Sequence, residues 1–196
     1  MKIGICSALA NEVDPNLDYI GVDKGIEVLL SQGIQPIYAI GDFDSINNKN
    51  LLQKLKIKQL PTHKDVTDTH AALEYAIDHG YDEVDIYGVT GGRLDHFFSA
   101  VCLLEKYQSI KIRIIDKQNI IYLVTPGSHQ IFKDEYQYFS LYALDDSYID
   151  ITGAMYPLDN YYLVRSDPLC VSNQVSKDIA LIKTSKPIIV VKSKDA

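Results

Sequence analysis

Two aspartates separated by one residue close a short apolar run, in the segment GDFDS. Side chains two residues apart in an extended backbone project to the same side, so Asp42 and Asp44 can face one point. Two carboxylates this close repel each other unless a cation lies between them, and Mg²⁺, which keeps water and phosphate oxygens as further ligands, suits such a pair. The alternative is a solvated, aspartate-rich turn that follows a strand.

A second polar cluster begins a helical pattern in the segment KDVTDTHAALEYA. Thr67 or Asp68 can cap this helix, because either side chain has an oxygen that accepts from an unpaired first-turn amide. The cluster brings a cation, two acids and a hydroxyl to one helix N-terminus: Lys64, Asp65, Asp68 and Thr67. Such a terminus also offers free N–H groups to a phosphate. Asp68 is therefore a candidate third carboxylate directed at a metal ion.

The third candidate segment, GVTGGRLDHFF, again passes from a strand through glycines into a helix. Gly91 and Gly92 allow the backbone to come close to a ligand, because no Cβ intervenes. Arg93 then lies where its planar fork can contact phosphate, and Asp95 and His96 follow. The alternative is a glycine turn before an ordinary amphipathic helix, but three acidic motifs at strand ends weaken it.

The motifs that are missing narrow the chemistry. The chain has no GxxxxGK[ST] loop, no GxGxxG after a strand and no GxSxG elbow, so neither a Walker-type kinase, a dinucleotide domain nor acyl transfer is supported. Cations near the three motifs are few, chiefly Lys64 and Arg93. Polyphosphate must then be neutralised mainly by metal ions held by the acidic side chains. These observations predict Mg-ATP binding and electrostatically assisted phosphoryl-type transfer.

The motifs need a scaffold that brings strand ends together. Short β-branched runs bounded by Gly, Pro or Asp predict six strands, at residues 2–6, 17–22, 36–40, 57–60, 83–87 and 110–115. Helical spacing predicts helices over residues 25–32, 47–55, 68–79 and 93–107. Their alternation predicts a mostly parallel sheet covered on both faces, with ligands at the carboxyl ends of its strands.

The last of these helices shows the clearest apolar face. We expect that face to point inward, and it consists of Leu94, Phe97, Phe98, Val101 and Leu104 or Leu103. The pattern changes after about residue 117, where Gly and Pro punctuate short Tyr-, Ile- and Val-rich runs at 119–124, 129–132, 137–143, 148–151, 161–164, 179–183 and 187–191. No helical period remains there, which predicts an antiparallel sandwich or barrel.

Composition restricts the class of protein further. The 196 residues are 46% hydrophobic and 23% charged, which is typical of a globular chain. A net charge of −7 argues against a general nucleic-acid binder. Cys6, Cys102 and Cys170 are odd in number and widely spaced, which predicts buried thiols in a reducing cytosol. With no signal core and no spanning segment, we expect a cytoplasmic protein that does not bind membranes.

The ordered set of motifs resembles the bacterial type of the thiamine pyrophosphokinase family over nearly the whole chain. The matching segments are GVDKG at 21–25, then GDFDS, KDVTDTHAAL and GVTGGRLDH, followed by TPG at 125–127, ITGAMYPL at 151–158 and VSN at 171–173. Two departures stand out. Lys24 replaces the family's first glycine after Asp23, and the chain has no Trp to stack on thiamine rings.

The resemblance implies a fold and a reaction. Residues 1–117 would form a Rossmann-like α/β catalytic domain that binds ATP, and residues 118–196 an antiparallel β-sandwich for thiamine binding and dimerisation. The family's activity implies that the hydroxyethyl oxygen of thiamine attacks the β-phosphorus of ATP, so that AMP leaves and thiamine diphosphate forms. It also implies a homodimer with active sites between subunits.

The resemblance also assigns residues. The catalytic, Mg²⁺-directed acids would be Asp42, Asp44, Asp68 and Asp95. The ATP- and phosphate-contacting positions would be Asp23, Gly25, Ser45, Lys64, Thr67, Gly91, Gly92, Arg93 and His96. On the thiamine side they would be Ser172 and Asn173.

Two other functions compete with this one. In a haloacid-dehalogenase-like phosphatase, Asp42 would attack phosphate covalently and Asp44 would act as acid and base. That enzyme needs a later acidic pair, for which Asp145 and Asp146 are available, and it leaves GGRLDH unexplained. The non-enzymatic alternative is a sensor of nucleotide or thiamine on the same scaffold, although sensing needs no cluster of carboxylates.

Overall fold

A computed structural model describes residues 1–44, 46, 55–59 and 66–195. The chain divides into two compact units, Met1–Lys117 and Gln118–Ala196. In the described residues of the first unit the strands are β1 (Lys2–Cys6), β2 (Tyr19–Val22), β3 (Tyr38–Gly41), β4 (Lys56–Gln59), β5 (Glu83–Tyr87) and β6 (Lys111–Ile115). The helices are α1 (Gly25–Ser31), α2 (Asp68–Asp78) and α3 (Leu94–Lys106). The helix predicted over residues 47–55 lies, but for its last residue, outside the described part.

The strands of Met1–Lys117 form a parallel sheet in the order β4-β3-β2-β1-β5-β6. The central strands are almost wholly buried, as expected when helices cover both faces of a parallel sheet. The chain adds β2, β3 and β4 on one side of β1 and then crosses to β5 on the other side. The strand order therefore reverses between β1 and β5, and ligands of open α/β sheets bind at the carboxyl ends beside such a point.

Gly88 closes the loops at this reversal. Its φ is +79°, and a Cβ there would lie 2.4 Å from the Ala10 nitrogen and 2.5 Å from the Ser7 oxygen. The Ser7 N–H also donates to the Tyr87 carbonyl at 2.9 Å. Only glycine satisfies both the backbone conformation and this close approach, so the loops after β1 and β5 are held against each other.

The predicted apolar face of α3 is correct only in its second half. Ala100, Leu103 and Leu104 are buried, but Leu94 is 70% exposed and Phe98 is 63% exposed. The expectation that Leu94 and Phe98 face inward is wrong. The helix packs inward only from about Ala100 onward. Helical periodicity shows which residues share a face of a helix, but it does not show how much of that face other parts of the protein bury.

The second unit is built from seven strands in the described residues 118–195. These are β7 (Asn119–Val124), β8 (Gly127–Phe132), β9 (Tyr138–Ala143), β10 (Ser147–Thr152), β11 (Leu158–Leu163), β12 (Ile179–Thr184) and β13 (Ile188–Ser193). They pair antiparallel as β7-β13-β9 and as β11-β10-β12-β8. One buried apolar cluster contains side chains from both groups, including Phe139, Leu141, Ile151, Leu163 and Ile182. The predicted class, an α/β domain followed by an antiparallel β-sandwich, is confirmed.

The cysteines are all free, but they are not all buried. Cys6 and Cys170 are buried, and burial raises the pKa of their thiols to about 12 and about 11. Cys102 is exposed, so the prediction that all three are buried is wrong. On α3 it lies next to the buried Leu103, about 100° further round the helix and therefore on another face. In the described ranges, no helix has both the length and the apolar character needed to cross a bilayer.

Candidate functional site

The turn after β3 is fixed by Asp23. β2 and β3 pair with Val22 opposite Ile40, so Asp23 and Gly41 follow at neighbouring positions. A Cβ on Gly41 would lie 1.9 Å from the Asp23 carboxylate, which makes glycine necessary there. The Phe43 N–H donates to Asp23 Oδ1 at 3.3 Å. The structure thus brings together two predicted positions, Asp23 and the Asp42 turn.

This turn holds unusual backbone conformations. Asp23 has φ +48° and Phe43 has φ +60°, in the left-handed region that L-residues avoid. Such conformations cost about 1–3 kcal/mol each and persist where the surroundings fix them, often at functional sites. The surroundings here are apolar, because Phe43 and Ile46 are buried beside Ile26. Apolar packing therefore holds the inner side of the turn, and Asp42 and Asp44 lie towards the surface.

Asp42 and Asp44 lie on the outer side of the anchored turn. Asp42 is partly buried and Asp44 is exposed. The Asp44 N–H donates to Asp42 Oδ1 at 3.0 Å, which is the local bond of an Asx turn. A carboxylate has further lone pairs, so this bond leaves acceptor capacity for a cation. The geometry of Asp42 and Asp44 is compatible with binding of a metal ion. It is equally compatible with a solvated, aspartate-rich turn.

Thr67 is the residue that caps α2. Its side chain accepts from the His70 N–H at 3.3 Å, and Asp68 is the first residue of the helix. α2 packs on β1, β2 and β3, and in a βα unit the helix N-terminus lies at the carboxyl edge of the strands. Thr67 and Asp68 therefore lie along the same edge as Asp42. Lys64, like Ser45, lies outside the described residues.

Arg93 and Asp95 form an exposed ion pair at the start of α3. Arg93 Nε and Nη2 donate to the two oxygens of Asp95 at 3.1 and 2.5 Å. Asp95 Oδ1 also accepts from the His96 N–H at 3.0 Å. The Arg93 guanidinium lowers the pKa of Asp95, and Asp95 raises that of Arg93. The Arg93 guanidinium, which was predicted to bind phosphate, thus binds the Asp95 carboxylate instead. Solvent screens the attraction between the two charges.

The structure gives a different explanation for glycine at each of three predicted site positions. Gly91 has φ +78° and open space where its Cβ would lie, so its backbone conformation requires glycine. At Gly92 a Cβ would meet only the movable end of Leu9, at 2.3 Å. At Gly25 a Cβ would lie 1.9 Å from the Cys6 carbonyl oxygen, so this glycine lets α1 pack against β1. ATP contact at Gly25 stays a prediction.

The four predicted metal-directed acids do not form a ready-made metal cage. Among residues 1–44, 46, 55–59 and 66–195, no three His, Cys, Asp or Glu side chains lie together as a metal-binding group would. Strand order contributes to this, because β2 and β1 lie between β3 and β5 and keep the ends of these two strands roughly 14 Å apart across the sheet. The carboxylates have the right chemistry for Mg²⁺ but need substrate phosphates to complete its coordination.

The two residues predicted on the thiamine side, Ser172 and Asn173, lie in the β-rich unit, where Asn173 is 4% exposed. Its Oδ1 accepts from the N–H groups of Tyr156 and Gln174 at 3.1 and 2.9 Å, and its Nδ2 donates to the Tyr156 carbonyl at 2.8 Å. Ser172 has φ +58° and its N–H donates to Ser140 Oγ at 3.0 Å. Asn173 therefore makes three side-chain hydrogen bonds, two of which hold the backbone of Tyr156.

The sequence analysis did not identify two exposed residues near Asn173, Met155 and Tyr156. Met155 and Tyr156 are 58% and 65% exposed although their backbone is pinned by Asn173 and by the Met155 N–H bond to the Gln174 carbonyl. The signal was present in the segment ITGAMYPL, which carries an aromatic residue between Met and Pro, where no alternating strand pattern calls for one.

His70 links α2 to α3 rather than to a ligand. Its Nε2 lies 2.9 Å from both Tyr107 Oη and Lys106 Nζ, and 3.3 Å from Glu74 Oε1. Burial, followed by the charge of Lys106, lowers the pKa of His70. His70 is therefore held by contacts within the fold.

The lowered pKa of His70 predicts a pH effect on stability. The unfolded chain binds a proton at His70 near its ordinary pKa of 6.5, while the folded chain resists it, so stability falls as pH drops through and below that value. We expect the melting temperature to fall less between pH 7 and pH 5 in His70→Gln than in the parent chain. Equal falls in melting temperature in His70→Gln and in the parent chain would show that His70 does not contribute to this pH dependence. His129→Gln, measured in the same way, is the control.

Comparison with known proteins gives one consistent family. The model of the thiamin pyrophosphokinase catalytic domain matches residues 13–115, and that of the thiamin pyrophosphokinase vitamin B1 binding domain matches residues 128–189. The thiamine pyrophosphokinase of Bacillus subtilis (strain 168) is 38% identical over 191 residues, which cover 93% of this chain and 89% of that protein. The chain belongs to the thiamin pyrophosphokinase family. The family predicted from the motifs is confirmed.

Solved structures of this family share the whole fold. The Bacillus subtilis thiamine pyrophosphokinase structure is 35% identical, covers both chains completely and superposes with a TM-score of 0.89. A thiamin pyrophosphokinase family protein from Enterococcus faecalis is 27% identical, with complete coverage of both chains and a TM-score of 0.91. The two thiamin pyrophosphokinase domain matches fall one in each compact unit.

Membership of the thiamin pyrophosphokinase family does not favour the phosphatase alternative, and one member of the acidic pair that it needs, Asp146, has a structural role. Asp146 Oδ1 accepts from the Arg165 N–H at 2.9 Å and Oδ2 from the Tyr162 hydroxyl at 3.4 Å. Asp145 and Asp146 lie in the turn between β9 and β10, in the β-rich unit. Asp146 thus joins the start of β10 to the end of β11, and neither aspartate follows a strand of the parallel sheet.

Proposed function

We propose that this chain is a thiamine diphosphokinase that transfers the diphosphate group of ATP to thiamine. The hydroxyethyl oxygen of thiamine forms a bond to the β-phosphorus, the bond between that phosphorus and the α–β bridging oxygen breaks, and AMP leaves with the bridging oxygen. The thiamine hydroxyl loses its proton. The observation that carries the proposal is the ordered match of a catalytic and a vitamin B1 binding domain, one in each unit.

Asp42 and Asp44 are the acids we assign to the ATP-bound Mg²⁺. The turn that carries them is held in place, because Asp23 accepts from the Phe43 N–H and Phe43 is buried. When bound, Mg²⁺ would neutralise the negative charge of the polyphosphate. Asp23 keeps the turn in place, and Thr67 and Asp68 begin α2 along the same edge, where the positive end of the helix dipole favours phosphate oxygens.

Arg93 supplies the forked cation of the proposed site. Its guanidinium already adopts a bidentate arrangement with Asp95, and a phosphate group can likewise accept two parallel N–H bonds from one guanidinium. Because the pair is exposed, polyphosphate can take the place of Asp95 on Arg93. Asp95, released from Arg93, would then be free to join the acidic group. His96 and the two glycines before Arg93 shape the same loop.

Thiamine is assigned to the unit Gln118–Ala196. Asn173 acts there as a positioning residue, since its amide is consumed in holding the Tyr156 backbone. Ser172 is exposed next to it, and its hydroxyl can meet a polar group of the ligand. Tyr156 and Met155 offer an exposed ring and a polarisable thioether, which together provide the aromatic and apolar surface that the absence of Trp removes.

Replacement of Tyr156 tests this assignment. Tyr156→Ala removes the ring and should raise the KM for thiamine by about tenfold, since a stacked aromatic contributes about 0.5–1.5 kcal/mol beyond its burial. Tyr156→Trp keeps a ring and should leave that KM within a few-fold. The KM for ATP should stay unchanged in both. If Tyr156→Ala keeps the parent KM for thiamine, the ring is a surface residue.

We further propose that the enzyme acts as a homodimer in the cytoplasm. Its free thiols, two of them buried and protonated, suit a reducing compartment. The two acting surfaces, one for ATP and one for thiamine, belong to different compact units, and a second copy offers a way to bring them together.

Mass spectrometry of the products tests the proposed function. Protein, Mg-ATP and thiamine should yield thiamine diphosphate and AMP in equal amounts. Release of inorganic phosphate without a thiamine product would favour the phosphatase. Binding of ATP and thiamine without any product would favour the sensor.

A further inference from the structure

A short segment of the β-rich unit, residues 170–173, pairs with the edge of β9, and we call it the edge segment. The Phe139 N–H donates to the Asn173 carbonyl at 2.8 Å, and the Asn173 N–H donates to the Phe139 carbonyl at 2.9 Å. The Leu141 N–H donates to the Cys170 carbonyl at 2.8 Å. β9 is the last strand in the order β7-β13-β9. The edge segment therefore binds backbone groups that an edge strand leaves open.

The edge segment contains one residue more than the part of β9 that it pairs with. Between the two pairing points β9 contributes Ser140, whereas the edge segment contributes both Val171 and Ser172. Two residues opposite one form a β-bulge. Val171 and Ser172 are both exposed, although Cys170 and Asn173 on either side of them are buried. Because consecutive side chains of a regular strand point to opposite faces, the bulge is what directs these two neighbours to the surface together.

The hydroxyl of Ser140 holds this bulge. Ser140 is only 6% exposed, and its Oγ accepts from the Ser172 N–H at 3.0 Å. A bulge interrupts the backbone ladder, and here a side chain supplies the acceptor that the ladder does not. Ser172 has φ +58°, in the left-handed region that L-residues avoid unless their surroundings fix them there. The Ser140 hydroxyl is thus a buried group that stabilises the left-handed conformation of Ser172.

We propose that Ser140 is a positioning residue for thiamine, which acts by holding Ser172 in the conformation that meets the ligand. The inference rests on the proposed function, in which the Ser172 hydroxyl contacts a polar group of thiamine. Asn173 fixes the backbone of Tyr156, and Ser140 fixes Ser172, so both ligand-facing residues are held before thiamine arrives. Groups that are ordered in advance do not lose conformational freedom on binding, which increases affinity.

Replacement of Ser140 tests the positioning role. Ser140→Ala removes the acceptor, so the binding-competent conformation of Ser172 becomes less populated and the Kd for thiamine, measured by calorimetry without ATP, should rise about tenfold. The KM for thiamine should rise equally, while kcat and the KM for ATP should stay within about twofold of the parent values. Ser140→Thr keeps a hydroxyl and should bind thiamine within a few-fold of the parent.

Ser147→Ala is the matched control. It removes the hydroxyl of another buried serine of the same unit, which is 1% exposed and lies 3.0 Å from Thr184 Oγ1. A lower melting temperature is expected in both alanine variants, because each loses a buried hydrogen bond. Only Ser140→Ala should weaken thiamine binding, since Ser147 does not contact the edge segment in the hydrogen bonds of the described residues.

A double-mutant cycle tests whether Ser140 acts through Ser172. Ser172→Gly weakens binding by itself, because it removes the hydroxyl, but glycine adopts positive φ without the help of Ser140. Adding Ser140→Ala to Ser172→Gly should therefore change the Kd for thiamine by less than about twofold. Should Ser140→Ala not fold at the assay temperature, Ser140→Cys replaces it, because sulfur fills the site but accepts hydrogen bonds only weakly, and the Kd should rise at least about threefold.

The same samples are assayed for thiamine diphosphate, so that the positioning role and the function fail separately. Parent-like binding by Ser140→Ala, equal weakening by Ser147→Ala, or a full tenfold effect of Ser140→Ala in the Ser172→Gly background would each overturn the role of Ser140. Any of these results with normal diphosphate transfer by the parent leaves the proposed function standing. A parent chain that binds thiamine, with the predicted responses of its variants, but makes no thiamine diphosphate overturns the function alone.

Discussion

Asp42→Asn is expected to lower the turnover number by about 10²–10³-fold, because loss of one charge-stabilising contact at a reacting phosphate has an effect of that size. The substitution keeps the Oδ1 atom that accepts from the Asp44 N–H, so the turn should retain its shape. Asp44→Asn should act similarly, since Asp44 is exposed and packs against no core. Steady-state kinetics with thiamine and Mg-ATP measure the loss, and thermal melts check the fold.

Asp145→Asn is the matched control for these two changes. It also alters an exposed aspartate in a turn, and it belongs to the acidic pair that a phosphatase would require. We expect parent-like turnover from it. If Asp42→Asn turns over at the parent rate, Asp42 is a solvated turn residue and the acidic group has been misassigned.

Arg93→Lys should reduce transfer at least about tenfold and Arg93→Ala about 10²–10³-fold, because the first loses the planar fork and the second loses the charge as well. Stability gives little reason for an arginine here, since a cation at the start of α3 opposes the helix dipole. Its ion pair with Asp95 is 74% and 64% exposed, so melting should change little.

The kinetic pattern distinguishes two roles for Arg93. Loss mainly in kcat means that the fork meets charge that develops during transfer, whereas loss confined to the KM for ATP means uniform ground-state binding. Lys111→Ala removes another exposed, ion-paired cation of the same unit and serves as the control. Equal losses of stability and activity in Arg93→Lys would show that the side chain acts in folding instead.

The order of elements could be predicted from sequence because their patterns are local. β-branched runs such as residues 83–87 and 119–124 have the bounds of β5 and β7 in the structure. What local patterns do not contain is the depth of burial. Leu94 and Phe98 follow the same helical period as Leu104, yet only Leu104 is covered, since cover depends on tertiary contacts distant in sequence.

The site could be predicted in part for the same reason. Asp42 and Asp44 share a motif, and their proximity follows from an extended backbone. The clamp by Asp23 on Gly41 and Phe43 could not be predicted, because it depends on the pairing of β2 with β3. The Arg93–Asp95 pair was also missed, because sequence identifies both as charged without showing that one neutralises the other.

The central claim is that both terminal phosphates of ATP move together to thiamine, and the fate of isotopic label tests it most directly. In parallel reactions with thiamine, ATP is labelled with ³²P at the γ-phosphate in one and at the α-phosphate in the other. The γ-label should appear in thiamine diphosphate, and the α-label should appear only in AMP. A γ-label in inorganic phosphate or in thiamine monophosphate, with the α-label in ADP, would contradict diphosphate transfer.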